Sequence, residues 1–193
     1  MIYKRIADRI INNVANNYPI NMEYREVYAY SLERYLSNVF NLIFFIIVAF
    51  VLSIPLETIV FVLFYGPLRK YAGGIHMKSR GLCLVLSVSI LVAIIRISRV
   101  VAFLSYWRVL TYILLIIACF LVFRLAPVDS ARRRLSEQNR SIYRTRCRWI
   151  IITAVIILFA ASLTVDKWNM YIILGTFAVF LEGIFLLPKP LAT

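Results

Sequence analysis

Six stretches of this chain, roughly 39–54, 55–68, 81–95, 101–123, 149–165 and 168–187, are almost unbroken runs of apolar side chains. A helix needs about 20 mostly apolar residues to cross the hydrocarbon core of a bilayer, somewhat fewer where its flanks snorkel. The second and third runs are short, so they are expected to tilt, to sit partly re-entrant or to thin the bilayer locally. Four full spans with two re-entrant helices is the competing count. Composition agrees: 62% of the 193 residues are hydrophobic and 16% charged, against about 45–50% and about 25% in a soluble domain. A water-facing globule of this make-up would expose large bare patches, and disordered chains are poor in such side chains. The expectation is an all-α, polytopic membrane protein of about six transmembrane or partly re-entrant helices.

Ahead of the first run, Ile2, Ile6, Ile10 and Val14 recur at i+4 spacing, with Lys4, Arg5, Asp8, Arg9, Asn12 and Asn16 largely off that stripe. Such a segment reads either as an amphipathic helix on the membrane surface or as one packed on the protein's own cytosolic face. Tyr18-Pro19 ends it, and a second helix from near Asn21 is expected to run into the first span. The opening Met1-Ile-Tyr-Lys-Arg lacks the apolar core of a cleavable signal peptide. The chain is read as a single membrane-embedded domain, 1–193, with the amphipathic helix at 1–20, the bundle at 21–193 and cytoplasmic loops at 69–80 and 124–148.

The chain carries 22 Lys+Arg against 9 Asp+Glu, a formal net charge of +13. With no soluble domain left to present a binding face, nucleic acid is excluded as the partner. The charge instead orients the protein and attracts anionic lipid of the bilayer. With six spans, all the cations except Arg96, Arg99, Lys167 and Arg108 fall on one side, Arg108 falling inside a span. Both termini and both basic loops are therefore expected to be cytoplasmic, and an active site is expected to face the cytoplasm or lie within the membrane.

The single histidine, His76, lies in Arg69-Lys-Tyr-Ala-Gly-Gly-Ile-His-Met-Lys-Ser-Arg-Gly-Leu-Cys83. A thiol near a helix N-terminus and a basic cluster favours the thiolate, and histidine is the usual base for such a nucleophile. Seven residues of unbroken helix would separate the pair by roughly 10 Å, so they meet only if the chain bends. Gly73, Gly74 and Gly81 bracket the segment with flexible positions, Gly81 as a hinge at the start of the helix carrying Cys83. The plainer reading makes Cys83 a packing residue. Cys119 reads as packing, and Cys147, among Arg144, Arg146 and Arg148, is a second thiol open to acidification but with no histidine left to serve it. One His and dispersed Cys cannot supply the three or four ligands of a metal site, and no cofactor is implied. Glu182, in the sixth run, reads either as the orienting third member of a triad or as a salt-bridged or helix-packing group.

Arg69, Gly74, His76 and Cys83, set between two hydrophobic segments, resemble the accessory gene regulator protein B (AgrB) family. Leu125-Ala-Pro-Val-Asp-Ser-Ala-Arg-Arg-Arg134 is similar to the family's Ala-Pro-x-x-(Thr/Ser) stretch and basic cluster, with Arg or Leu in place of the usual following Pro. The resemblance implies a membrane cysteine endopeptidase of quorum sensing, a homodimer, that cuts the C-terminal tail from an AgrD-like propeptide and promotes its cyclisation. It implies Cys83 as nucleophile and His76 as base, with Arg69 and Gly74 at positions needed for activity. Arg132, Arg133 and Arg134 match the functional basic cluster, able to bind the acidic tail or to serve only as topogenic charge. The alternatives are a small peptide transporter or channel, which should line a path with polar residues, and a lipid transferase, which needs a cluster of acidic metal ligands. The runs hold little polar beyond Arg108 and Glu182, and Asp129 is isolated.

Overall fold

The computed structural model describes residues 2–17, 24–74, 80–128, 136–164 and 168–187. Those residues form seven helices: α1 (Ile2–Asn17), α2 (Arg25–Val51), α3 (Pro55–Ala72), α4 (Arg80–Val101), α5 (Trp107–Leu125), α6 (Glu137–Thr164) and α7 (Asn169–Phe185). The chain divides into two units, Met1–Ile54 and Pro55–Thr193.

In the first unit α1 packs on α2. Ala7 is fully buried, and Ile11 and Ala15 on the same face are half-buried. The neighbouring stripe of Ile6, Ile10 and Val14 stays about 40% exposed, apolar surface of the kind that lies in a bilayer interface. The Arg25 guanidinium donates to the Asn12 side chain at 2.5 Å, tying the start of α2 to α1. α2 then runs unbroken for 27 residues from a polar half into an apolar one, as expected of a helix entering the first span. It stops where Ser53 turns left-handed at φ 55 ahead of Pro55, whose ring disfavours helix at the residue before it.

The second unit is built around α7. This helix is apolar nearly all round, and Ile172, Ile173, Leu174, Ala178 and Val179 are buried, as they must be in a helix with neighbours on every side. α3, α4, α5 and α6 all pack on it. Gly175 is a close approach: a Cβ there would meet Leu158 at 2.8 Å and Phe64 at 3.0 Å, so its missing side chain lets α3 and α6 close in.

Local chemistry sets the helix ends. α3 begins on Pro55, carries Glu57 in its first turn and Arg69 and Lys70 in its last, each sign matching the helix dipole. It ends on Gly73 at φ +85, the left-handed cap that glycine tolerates best. Ser136 accepts the Asn139 N–H at 3.4 Å at the start of α6.

Among the described residues, four helices are long and apolar enough to cross a membrane: Arg25–Val51, Gly81–Val101, Trp107–Leu125 and Glu137–Leu163. The six apolar runs each belong to one of the helices α2 to α7, but two of these are shorter or more charged. α7 has 17 residues, about 26 Å at about 1.5 Å per residue, short of the roughly 30 Å core. α3 has 18 with charges at both ends. Two boundaries differ from expectation. Val101 ends α4 instead of opening a span, because tight bonds such as Phe103 N–H to Val100 and Leu104 N–H to Val101 close a turn before Trp107. Helix α6 begins at Glu137, well before residue 149. Arg108, expected inside a span, is the second residue of α5, exposed, with its guanidinium 5.3 Å from the Trp107 ring centre; the turn brings it to the end of its helix.

Candidate active site at the basic end of the bundle

The C-terminal ends of α3, α5 and α7 and the N-terminal ends of α4 and α6 gather at one end of the second unit. The Val128 N–H donates to the Ala72 carbonyl at 2.9 Å, and Gly73 pairs with Val128, so the segment after α5 is stitched to the end of α3. The Tyr71 ring meets Tyr143 of α6 edge-on at 5.6 Å and lies 5.2 Å from the Arg146 guanidinium. At the opposite end Arg99 pairs with Glu57 at 2.8 Å, and the Asn169 amide donates to the Ala102 carbonyl at 2.9 Å.

Arg69 is the hub of the basic end. Its Nη1 donates to the Gly73 carbonyl at 2.8 Å and lies 3.5 Å from Glu182 Oε2, and its guanidinium sits 5.6 Å from the Phe185 ring centre. One side chain of α3 therefore holds its own C-terminal turn and the last turn of α7. Gly74 lies against this knot at φ +105, where a Cβ would be 2.5 Å from Arg69 Nη1 and 3.0 Å from the Phe185 carbonyl oxygen. At Gly73 a Cβ would overlap the Val128 carbonyl oxygen. The chain thus turns left-handed at Gly73 and Gly74, ahead of His76; the stretch in which a bend between His76 and Cys83 would fall lies largely outside the described residues. Gly81, expected as a hinge, is instead an ordinary helical residue of α4, with nothing within 4 Å of a Cβ built there.

Cys83 lies in the first turns of α4, half-buried, with its carbonyl accepting the Ser87 hydroxyl at 2.8 Å. The first turn of α4 carries no acidic residue. Tyr65, one turn before Arg69 on α3, interacts electrostatically with Cys83, Arg69 and Glu182. The nucleophile candidate, the Arg69 hub and Glu182 therefore share one neighbourhood. His76 and the Arg132, Arg133 and Arg134 cluster lie outside the described residues; their loops depart from Gly74 and Val128, which the Ala72–Val128 bond brings together.

The other thiols separate by burial. Cys147 is 1% exposed in the apolar core, so it is an inert packing thiol and not a second reactive one. Cys119 lines a groove of about 400 Å³ with Leu115, Ile116, Phe120, Val155 and Phe159, in keeping with packing. Tyr65 and the Arg69–Glu182 pairing are what the sequence did not disclose. Their one local signal is the i, i+4 spacing of Tyr65 and Arg69, which places both on one face of α3.

The fold and this end of it define a multi-pass helical membrane protein with a half-buried cysteine near the start of a candidate span and a glycine turn held by Arg69, which also faces the buried Glu182. The sequence profile of accessory gene regulator B matches residues 5–186, and the chain belongs to that family. Two proteins of Clostridium perfringens that carry AgrB-like names are similar to it: one from strain 13 / Type A at 25% identity, one from strain SM101 / Type A at 24%. Each match covers 71% of this chain and 66% of the relative, so the chain accounts for just under two thirds of their length. No solved structure matches it.

Proposed function

We propose that the protein is a membrane cysteine endopeptidase of accessory-gene-regulator quorum sensing, acting as a homodimer on an AgrD-like propeptide at the cytoplasmic face. Family membership over residues 5–186 supports the quorum-sensing role. The observation that carries the chemistry is Cys83 in the first turns of α4, seven residues after the chain's only histidine.

In this reading His76 takes the Cys83 proton, and the thiolate attacks the scissile carbonyl carbon. The peptide C–N bond breaks, His76 returns its proton to the leaving amine, and the tail departs, leaving a thioester on Cys83. A thiol or hydroxyl within the same peptide then attacks that carbonyl, giving its proton to His76 and expelling the Cys83 thiolate. The product is a thiolactone or lactone ring. Water must be kept from the acyl-enzyme, which a site at the membrane interface favours. Arg69 and Gly74 shape the loop, Glu182 supports them, and Arg132, Arg133 and Arg134 attract the acidic tail. No cofactor takes part.

The test is cleavage of the co-expressed propeptide by wild type, Cys83→Ala and His76→Ala. Both variants are expected to lose cleavage while remaining in the membrane. Undiminished cleavage by Cys83→Ala would refute the peptidase reading and return a transporter to consideration.

A further inference from the structure

Helices α5 and α6, both long and apolar enough to cross a membrane, do not close on each other completely. Between them runs a groove of about 400 Å³, walled by Tyr112, Cys119 and Phe120 of α5 and by Val155 and Phe159 of α6, within the size range of a small-molecule site. The one polar group on its wall, the Tyr112 hydroxyl, is shared with the Ser162 hydroxyl at 3.0 Å. Phe120 and Phe159 stand 63% and 47% exposed along it. Helices pack closely in a bilayer through small residues, so these rings hold a further helix backbone away. A flexible hydrocarbon chain can fill the space between them.

The groove also has a charged end. On α5, Phe123 and Arg124 follow Cys119 and Phe120 by one turn and continue the same face towards the basic end. On α6, Arg148 lies two turns before Val155, again on the groove face. The Arg148 guanidinium is 5.4 Å from the Phe123 ring centre, so it crosses from α6 to α5 just above the groove. Both arginines are exposed, and among the described residues neither is paired with a carboxylate. Trp149, exposed beside Arg148, has the place of an aromatic at headgroup level. From Tyr112 to Arg124 is about 18 Å of helix, close to the about 15 Å of one leaflet in a core about 30 Å thick. At its other end the same face carries one arginine, Arg108, turned onto the neighbouring Trp107 ring.

We propose that the α5–α6 groove is a binding site for one anionic phospholipid, with an acyl chain lying along Tyr112, Cys119, Phe120, Val155 and Phe159 and the phosphate held by Arg124 and Arg148. Charge selects the occupant: two cations without a carboxylate partner favour a headgroup of net negative charge over a zwitterionic one, whose own cation they repel. The site is independent of the peptidase reading, and its test does not use cleavage.

The experiment takes the full-length protein in non-ionic detergent with phosphatidylglycerol carrying a photoreactive diazirine in its acyl chain, and locates the label by peptide mapping. Label is expected within residues 112–120 and 155–159. Unlabelled phosphatidylglycerol should compete at about 25-fold lower concentration than phosphatidylcholine, about fivefold for each arginine. Arg124→Gln/Arg148→Gln should remove that preference, Val155→Trp should fill the groove and abolish the label, and Arg108→Gln should change it by less than twofold. Thermal stability checks folding, and the exposed arginine positions keep the test decisive if Val155→Trp does not fold. Equal competition by the two lipids, a preference that survives the double variant, or a loss caused by Arg108→Gln instead would overturn the proposal. So would groove peptides that stay unlabelled because another helix of this chain or a second copy covers them.

Discussion

Replacing Gly74 by alanine should separate the glycine turn from the rest of α3 and α4. The backbone there stands at φ +105, and the new Cβ would sit 2.5 Å from Arg69 Nη1 and 3.0 Å from the Phe185 carbonyl oxygen. Holding a side chain in that backbone region costs about 1–3 kcal/mol. The guanidinium is the more mobile neighbour and is expected to give way, loosening its bonds to Gly73 and Glu182. Hydrogen bonds to charged groups contribute about 1.5–3 kcal/mol each. If only the smallest of these costs, about 1 kcal/mol, falls on loop placement, cleavage drops about fivefold, at about 1.4 kcal/mol per factor of ten; larger shares push it further. Gly81→Ala is the control: that glycine is helical, nothing lies within 4 Å of its Cβ, and alanine there should stabilise α4 by about 0.5–1 kcal/mol. The assay is propeptide cleavage by mass spectrometry at matched membrane levels of each variant. Equal cleavage by Gly74→Ala and wild type, or an equal loss in Gly81→Ala, would refute a specific role for the Gly73–Gly74 turn in cleavage.

Three further outcomes follow from the same geometry. Gly73→Ala would drive a Cβ into the Val128 carbonyl and break the Val128–Ala72 bond, so a lowered melting temperature and lost cleavage are expected together, by thermal shift and the cleavage assay. In the native protein a maleimide should label Cys83 and spare the buried Cys147 until the protein is denatured, with peptide mapping as the readout. Gly175→Ala overfills the contact with Leu158 and Phe64 and should cost about 1–3 kcal/mol, seen as a lower melting temperature.

The helices were legible because apolar runs broken by prolines and basic clusters leave few other arrangements. Pro55 and Ala126-Pro127 mark the start of α3 and the end of α5. The number of full spans was less legible. Whether a run crosses alone depends on where it caps, and the turn at 102–106 is closed by backbone bonds that no residue type in it announces. Candidate residues Arg69, Gly74, Cys83 and Glu182 could be named from the sequence, but their relations could not. Arg69 and Glu182 are 113 positions apart, and only the packing of α3 on α7 makes them a pair. Nor does a sequence distinguish a left-handed glycine from a helical one: Gly73 is left-handed because Val128 pairs with it, Gly81 helical because α4 starts before it. Cys147 illustrates the converse, since arginines flank it in sequence while its side chain turns into the core.

The most direct test of the account is the covalent state of Cys83 during turnover. Wild-type protein mixed with propeptide and quenched in acid should show, by intact mass and peptide mapping, the truncated peptide joined to Cys83 through a bond that hydroxylamine cleaves. The adduct should be absent from Cys83→Ala. Propeptide cleaved at full rate with no adduct on Cys83, or an adduct mapped to Cys119 or Cys147, would contradict it.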